Sequence, residues 1–274
     1  MASDTAYNYR VLMVKRVSTG SFHDAFVFPG GVQEPQDPDL RTCAIRETYE
    51  ETGLLLANPR KSAMPILLEG SSTQTFAELC REHSLELPEC VEIGQWITPR
   101  THKKRFDTRF FMLNITDNDQ FLLQQLDSAR PQLTELVSLQ WFRPDEILGM
   151  NRRGEMALFP PQFYIFHELT RFTQWQDLVS RGSAIQAGSR VEPILCKRSD
   201  GAVIGLLPGD VLYRCNGPVG AADSATAHVD DADLFRTPDT NKQHLHRLVM
   251  EKASSGGFYG IRLLKTALKP QSKL

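Results

Sequence analysis

The sequence has few cysteines, no long hydrophobic run and almost no excess of charge of one sign. Its five cysteines are odd in number and widely spaced, so no paired spacing indicates zinc, and we expect reduced thiols of an intracellular compartment. No apolar run reaches the about 20 residues of a membrane span, and Met1 to Asn8 lacks the basic start and apolar core of a signal peptide. The net charge of −2 argues against bulk nucleic-acid binding. With 41% hydrophobic residues among 274, the chain can still bury a sizeable core.

A group of three glutamates is the most informative feature that the sequence does contain. At roughly 100° per residue, Glu47, Glu50 and Glu51 lie on one helical face, opposite the less polar side chains. Like charges three and four residues apart destabilise a helix by a few tenths of a kcal/mol per pair, so a neutralising partner is expected. Mg²⁺ prefers one or two carboxylates plus substrate phosphates. The face therefore indicates metal-assisted cleavage of a phosphate anhydride, the alternative being an ordinary solvated acidic face.

The residues before this helix favour a close approach to a ligand. Gly30 and Gly31 follow the apolar run Phe26 to Pro29, so a strand is predicted to end in a loop whose backbone can approach a bound molecule. This loop is expected to lie next to the acidic face of the helix.

The ends of the helix are also indicated. Asp37 followed by Pro38 suits a helix N-cap with proline at the first helical position. Gly53 suits a left-handed residue at the carboxyl end of the helix. Arg46 lies four residues before Glu50 and is expected to hold that carboxylate in place.

The segment resembles the Nudix box, whose pattern is Gly, five residues, Glu, seven residues, Arg-Glu, an apolar residue, any residue, Glu-Glu, any residue, Gly and an apolar residue. Here Gly31 is followed by five residues, Asp37, eight residues and then the run from Arg46 to Leu54. The second half matches closely. In the first half one residue is inserted and Asp37 stands in place of Glu, which leaves its role open between helix capping and metal binding.

The resemblance implies an α/β fold, the Nudix α/β/α sandwich around a mixed sheet, with Mg²⁺ or Mn²⁺ as cofactor. It implies that Glu50 and Glu51 are metal ligands and that Glu47 is a further ligand or the base that activates water. Gly31 would offer a backbone carbonyl to the metal, and Arg46 would orient the acids. The chemistry agrees, because phosphoanhydride cleavage needs neutralised phosphate charge and an activated water, and a bound metal supplies both.

Hydrophobic patterns and turn residues predict the remaining elements. Within the first 175 residues four strands are predicted: Arg10 to Lys15, a strand that ends at Phe28, an inner strand in the second part of Arg105 to Leu113, and Leu136 to Phe142. Three further helices are predicted there: Thr75 to His83, a helix that begins at Pro144, and Phe163 to Phe172. Beyond them we expect strands at Val191 to Leu195, Ala202 to Leu207, Asp210 to Tyr213 and Gly260 to Leu264, and a short helix at Leu245 to Lys252. Three histidines are expected to be exposed rather than metal-bound: His228, His244 and His246.

A basic segment, Arg100 to Arg109, precedes a predicted core strand. It is either a solvated edge or an electropositive rim for a phosphorylated nucleotide, with Arg105 and Arg109 as substrate-binding residues, since arginine binds phosphate in a bidentate way. Glu135, six residues before Trp141, lies where many Nudix enzymes place a downstream acid. It is a candidate ligand or base.

Further stretches resemble peroxisomal coenzyme A diphosphatases, and the similarity extends roughly from Tyr9 to Phe172. They include Ala25 to Gly31, Arg105 to Thr108 and Pro160 to Tyr164. The last of these begins an apolar helix that is expected to pack in the core, and contact of Gln162 or Tyr164 with substrate is the alternative. The resemblance implies hydrolysis of coenzyme A or acyl-coenzyme A to adenosine 3′,5′-bisphosphate and (acyl-)4′-phosphopantetheine. A Nudix pyrophosphatase acting on NADH or ADP-ribose is the first alternative, and a non-catalytic Nudix-fold binding or sensor module is the second.

The sequence also predicts the organisation of the chain. Residues 1–175 form the Nudix hydrolase domain, and residues 176–271 form an α+β extension packed on the core. Ser272, Lys273 and Leu274 form a peroxisomal targeting tail read by an import receptor. We therefore expect a protein of the peroxisomal matrix whose partner is a nucleoside-diphosphate-linked small molecule, with neither nucleic acid nor membrane as a partner.

Overall fold

The computed structural model describes residues 7–16, 25–54, 56, 58–59, 75–82, 84–115, 136–181, 190–197, 201–213, 244–252 and 257–266. Twelve strands are found in these ranges: β1 (Val11–Arg16), β2 (Phe26–Val27), β3 (Asn58–Pro59), β4 (Leu85–Glu86), β5 (Val91–Ile97), β6 (Asp107–Met112), β7 (Leu136–Phe142), β8 (Arg190–Val191), β9 (Ile194–Lys197), β10 (Val203–Leu206), β11 (His246–Lys252) and β12 (Phe258–Lys265). The helices are α1 (Leu40–Thr52), α2 (Phe76–Glu82), α3 (Pro144–Arg152), α4 (Pro160–Leu169) and α5 (Trp175–Arg181). None of the helices in these ranges has the length and apolar character needed to cross a membrane.

The described strands form three larger sheets and one short pair, β3 with β4. The first sheet is antiparallel in the order β2-β1-β7. In the second, ordered β6-β5-β8, strand β5 runs antiparallel to β6 and parallel to β8, so this sheet is mixed. The third is antiparallel in the order β12-β11-β10-β9. Sheets and helices together give the α/β fold expected from the sequence.

Helix α4 lies at the centre of the main core because its residues are apolar on almost every side. Phe166 is fully buried, and its ring lies 5.5 Å from that of Phe28, which follows β2. Tyr164 on the same helix contacts Trp96 of β5, with ring centroids 5.5 Å apart. Full burial of one such side chain contributes about 1.5–3 kcal/mol. The helix therefore links the region of the first sheet to the mixed sheet.

Helix α1 begins two residues later in the Asp-Pro-Asp run than the sequence analysis predicts. Its N-cap is Asp39, whose carboxylate accepts a hydrogen bond of 2.7 Å from the backbone N–H of Thr42. Asp37 is therefore not the cap, because its side chain points instead to Arg46. At the other end Gly53 adopts φ 74° and its N–H donates to the carbonyl of Tyr49, as predicted.

The part of the chain after α5 corrects four predictions. His246–Lys252 is strand β11 rather than a helix, because it forms an interior strand of the third sheet. Residues 210–213 form a turn rather than a strand, and Val191 to Leu195 is divided between β8 and β9, which join different sheets. His244 is exposed as predicted, but His246 is half-buried, since its ring bonds to Tyr164. His228 lies outside the described residues.

The predicted strand in Arg105 to Leu113 forms as β6, but it is not an inner strand. It lies at the end of the order β6-β5-β8, and its first three residues are exposed. Strand β5 was not predicted, and it provides the centre of the mixed sheet. Strands β3 and β4 were not predicted either, and the other described strands and helices that begin before residue 175 confirm their predictions to within a few residues.

The third sheet packs against helices of the core. The Asn151 side chain at the end of α3 donates to the carbonyl of Phe258 at 2.7 Å and accepts from the N–H of Ile261 at 3.0 Å, both in β12. A buried ion pair between Asp210 and Arg247 stabilises this part of the chain, with two hydrogen bonds of 2.8 Å.

Candidate active site

The loop with two glycines and the acidic helix meet at two points. The backbone N–H of Gly30 donates to the carboxylate of Glu51 at 3.0 Å, and Glu51 is almost fully buried. Gly31 lies directly against Glu47, so that a Cβ added at residue 31 would stand less than 3.0 Å from the Glu47 carboxylate. Gly30 has φ 151°, a conformation that favours glycine. The absence of side chains in this loop therefore makes room for the acidic face.

Arg46 holds two of the three glutamates. Its Nη1 donates to Glu50 Oε2 at 2.8 Å and its Nη2 donates to Glu47 Oε1 at 3.1 Å. Nε and Nη2 also donate to the two carboxylate oxygens of Asp37, each at 2.9 Å. The guanidinium is 4% exposed, so these charge-assisted bonds form away from solvent. The predicted contact between Arg46 and Glu50 is confirmed.

The site shifts the ionisation of its acids in opposite directions. Partial burial raises the pKa of Glu50, an effect that Arg46 opposes and the nearby charge of Glu47 reinforces. Hydrogen bonding from Arg46 lowers the pKa of Asp37 and outweighs its burial. The charge of Glu50 is thus less favourable than that of Asp37, because its desolvation outweighs the stabilising effect of Arg46.

The donor set fits a hard divalent cation. Within the described ranges no group of three or more His, Cys, Asp or Glu side chains is placed to hold a metal ion, so Glu47, Glu50 and Glu51 do not form a three-ligand site as they stand. Mg²⁺ is usually held by one or two carboxylates together with substrate phosphates, so an incomplete protein cage is the expected arrangement. Glu47 and Glu50 provide hard oxygen ligands that are 16% and 39% exposed, whereas Glu51 is almost fully buried.

The basic segment is brought close to the mixed sheet, but its arginines have acidic partners. Arg105 Nη2 lies 2.5 Å from Glu192 Oε1, and Arg100 Nε lies 3.0 Å from the same oxygen. Arg109 Nη1 lies 3.1 Å from Glu92. Both Arg105 and Arg109 remain partly exposed, at 38% and 39% of the side chain. Their charge is therefore partly neutralised within the protein.

An open cleft is lined by residues of the glycine loop and of the basic segment. It is bordered by Gly30 and Gly31 on one side and by Arg109 on another, and Gln162 of α4 also lines it. Neither Arg105 nor any of Glu47, Glu50 and Glu51 is among the lining residues. The structure therefore brings the acids together with the Gly30–Gly31 loop, and it brings that loop and Arg109 to one cleft, which the acids and Arg105 do not line. Glu135 and the tail Ser272, Lys273 and Leu274 lie outside the described residues.

Two features of this region were missed or only partly recognised in the sequence. Asp37 binds Arg46 rather than capping the helix. This role was not predicted, because the residue is an aspartate instead of the glutamate of the Nudix box and lies one residue away from the expected spacing. Gln162 is buried with its side-chain oxygen unpaired. The signal for Gln162 was its position after two prolines at the start of an apolar helix.

The comparisons with known proteins agree with this geometry. Residues 33–172, just over half of the chain, match the family model described as the NUDT19 Nudix domain. The chain belongs to this family of Nudix domains, and the expected resemblance to Nudix coenzyme A diphosphatases is confirmed.

Three relatives share between 28% and 32% sequence identity with this chain. The chain is 32% identical over 204 residues to "Acyl-coenzyme A diphosphatase NUDT19" of Homo sapiens, which covers 65% of this chain and 52% of that protein. It is 30% identical over 263 residues to the protein of the same name from Gallus gallus, covering 84% and 66%. "Putative nudix hydrolase 7" of Caenorhabditis elegans is 28% identical over 221 residues, covering 74% and 70%. The chain thus spans about half the length of the human relative.

Proposed function

We propose that this protein is a metal-dependent diphosphatase that hydrolyses coenzyme A or acyl-coenzyme A to adenosine 3′,5′-bisphosphate and (acyl-)4′-phosphopantetheine. The family match and the printed names of the human and chicken relatives support the substrate class. The observation that carries the proposal is the convergence of Arg46 on Glu47 and Glu50 beside the loop formed by Gly30 and Gly31.

We assign the residues of the acidic face to distinct tasks. Glu47, Glu50 and Glu51 would hold Mg²⁺ or Mn²⁺, with Glu47 as a further ligand or as the base that takes a proton from the attacking water. Such a cation, when bound, supplies charge neutralisation on the diphosphate oxygens and a more acidic water. Arg46 fixes Glu47 and Glu50 in place through the hydrogen bonds described above. Gly31 permits the substrate and the Glu47 carboxylate to approach the same stretch of backbone.

The position of Asp37 argues for catalysis over a non-catalytic binding module. The irregular first half of the Nudix box is the feature that favoured a non-catalytic binding or sensor module. In the structure Asp37 still supplies a buried carboxylate to Arg46, so that Arg46 remains oriented towards Glu47 and Glu50. A module without turnover has no need to hold these acids in place.

The substrate end of the proposal depends on Arg105 and Arg109. We propose that they form an electropositive rim for the 3′-phosphate of coenzyme A. Their pairing with Glu192 and Glu92 is the specific observation that keeps the first alternative, a pyrophosphatase acting on NADH or ADP-ribose. Those substrates lack a 3′-phosphate and need no free arginine at this position.

Three further assignments stay predictions. Glu135 is a candidate additional ligand or base. Residues 1–175 and 176–271 form the catalytic domain and its extension. A Ser272-Lys273-Leu274 tail, where it stands at a free carboxyl terminus, would direct the protein to the peroxisomal matrix through an import receptor.

A turnover panel tests the proposed function. The purified chain is incubated with Mg²⁺ or Mn²⁺ and with coenzyme A, acetyl- and long-chain acyl-coenzyme A, NADH or ADP-ribose, and products are separated chromatographically. Preference for the coenzyme A series, with adenosine 3′,5′-bisphosphate as a product, supports the proposal. Preference for NADH or ADP-ribose keeps the anhydride chemistry and removes the 3′-phosphate argument. No turnover of any of them rejects the proposed function.

A further inference from the structure

Gln162 is a buried polar residue without a structural task. It is 8% exposed, and its Oε1 has no hydrogen-bond partner in the described part of the chain. Buried side-chain acceptors are paired in the large majority of cases, so an unpaired one calls for an explanation. The residue lies third in helix α4, after Pro160 and Pro161, where a glutamine ordinarily reaches back to the backbone N–H of the N-cap. Gln162 does not make that bond.

The surroundings of Gln162 form a ligand-sized apolar surface. Gln162 lines the cleft together with Ile165 and Leu169, which lie three and seven residues further along the same helical face. The loop of Gly30 and Gly31 borders the same cleft. Aromatic and aliphatic side chains contribute much of the remaining wall, including Phe28, Ile93, Phe110, Met112, Trp175 and Leu178. A molecule in the cleft would meet mainly apolar walls, with the Gln162 carboxamide among their polar groups.

We propose that Gln162 is a specificity-determining residue whose carboxamide binds an amide or aminopurine edge of the substrate. A glutamine side chain offers one acceptor and two donors, which complement a group that carries an N–H beside an acceptor. A secondary amide carries such a pair, and glutamine binds the N6 and N7 edge of adenine in the same manner. The inference rests on the proposed function, because coenzyme A contains both groups: amides in its pantetheine arm and adenine at its other end.

A ligand-binding role and a structural role for Gln162 predict different effects on stability. If a glutamine stabilises the fold through its hydrogen bonds, replacing it removes those bonds and lowers the stability of the protein. Gln162 has no partner for its Oε1, so replacing it with leucine removes a buried unpaired acceptor and adds apolar contact. The variant should therefore keep or gain stability while it loses affinity for ligand.

The test compares Gln162→Leu with Gln140→Leu in the full chain. Gln140 is an exposed glutamine on β7 and serves as the matched control. The measurements are the thermal midpoint, kcat and KM for coenzyme A with Mn²⁺, and the Kd of adenosine 3′,5′-bisphosphate and of 4′-phosphopantetheine by titration calorimetry. We expect Gln162→Leu to raise KM about tenfold with little change in kcat and an equal or higher midpoint. Gln140→Leu should match the wild type.

The two product titrations identify the group that Gln162 binds. A selective loss of about tenfold for adenosine 3′,5′-bisphosphate identifies the adenine edge, and a selective loss for 4′-phosphopantetheine identifies an amide. Unchanged affinity for both products, binding of neither by the wild type, or a lower midpoint with equal losses on both would overturn the inference. If the wild type binds a product through Gln162 without hydrolysing coenzyme A, the proposed function fails and the inference stands.

Discussion

Arg46 and Asp37 form a buried, two-pronged ion pair, with Nε to Oδ1 and Nη2 to Oδ2 both at 2.9 Å. Their side chains are 4% and 2% exposed. The same guanidinium reaches Glu47 and Glu50, so the anchor at Asp37 determines where these two carboxylates are held. Because Asp37 precedes α1 in the chain, this pair also fixes the entry loop to the helix.

Asp37→Asn should destabilise the protein far more than Asp39→Asn. Removing one partner of a buried ion pair costs about 3–5 kcal/mol, since the remaining charge loses its compensation. At Asp39 asparagine is an equally good N-cap, so the cost should stay below about 0.5 kcal/mol. Urea unfolding of both variants measures the difference. Equal losses in the two variants would contradict the role of Asp37 as the anchor of Arg46.

The contribution of Asp37 to stability should disappear in acid. Hydrogen bonding from Arg46 lowers the pKa of Asp37 in the folded protein below the value of about 3.9 in an unfolded chain. A lowered folded-state pKa gives stability that is present above the unfolded pKa and is lost as the pH falls through the folded pKa. The difference in unfolding free energy between wild type and Asp37→Asn should thus be constant from about pH 6 to 8 and shrink below about pH 4. A difference that does not change with pH would argue that packing, and not charge, explains the loss.

Glu50→Gln should remove activity without harming the fold. Burial raises the pKa of Glu50 in the folded protein, so ionisation of this carboxyl opposes folding at pH values above its unfolded-state pKa. Replacing it with neutral glutamine should leave the thermal midpoint unchanged or higher, while metal-dependent turnover falls by at least about a hundredfold. Glu155→Gln, on an exposed glutamate after α3, is the control and should keep full turnover. Turnover near the wild-type rate in Glu50→Gln would remove Glu50 from the site.

Gly31→Ala should affect catalysis more than stability. An added Cβ would overlap the Glu47 carboxylate, which is the far end of a flexible side chain and can move away at small cost. We expect turnover to fall more than tenfold as Glu47 is displaced, with a change in unfolding free energy below about 1 kcal/mol. Gly94→Ala is the control, because the nearest atom to its added Cβ is 4.0 Å away. Similar turnover in the two variants would show that the position of Glu47 is unimportant.

The sequence was sufficient to predict the acidic helix and most elements around it, because their signals are local. The glutamate spacing, Gly53 at the helix end and the apolar run of α4 all lie within short stretches. The misassignment of Asp37 is local too: two aspartates compete as the cap, and only the one whose carboxylate reaches the N–H of Thr42 succeeds.

Predictions failed where the decisive partner is distant in the chain. Strand β11 has a continuous run of buried residues, and its fully buried Arg247 pairs with Asp210, which lies 37 residues earlier in the chain. Periodicity alone cannot separate a buried strand from a helix in so short a run. Likewise Arg105 seemed free to bind phosphate, because Glu192 lies 87 residues away in the sequence.

The substrate assignment can be decided by comparing coenzyme A with dephospho-coenzyme A, which lacks only the 3′-phosphate. Arg105→Ala and Arg109→Ala should each lower the ratio of kcat/KM between the two substrates about tenfold, since each removes a hydrogen bond to a charged group. Glu192→Gln should raise that ratio, because it releases Arg105 from its acidic partner. Arg152→Ala, on the exposed side of α3, should leave the ratio unchanged. Ratios that stay constant across all four variants would detach these arginines from the 3′-phosphate and favour NADH or ADP-ribose. Opposite shifts in Arg105→Ala and Glu192→Gln, with no shift in Arg152→Ala, would support binding of that phosphate by Arg105.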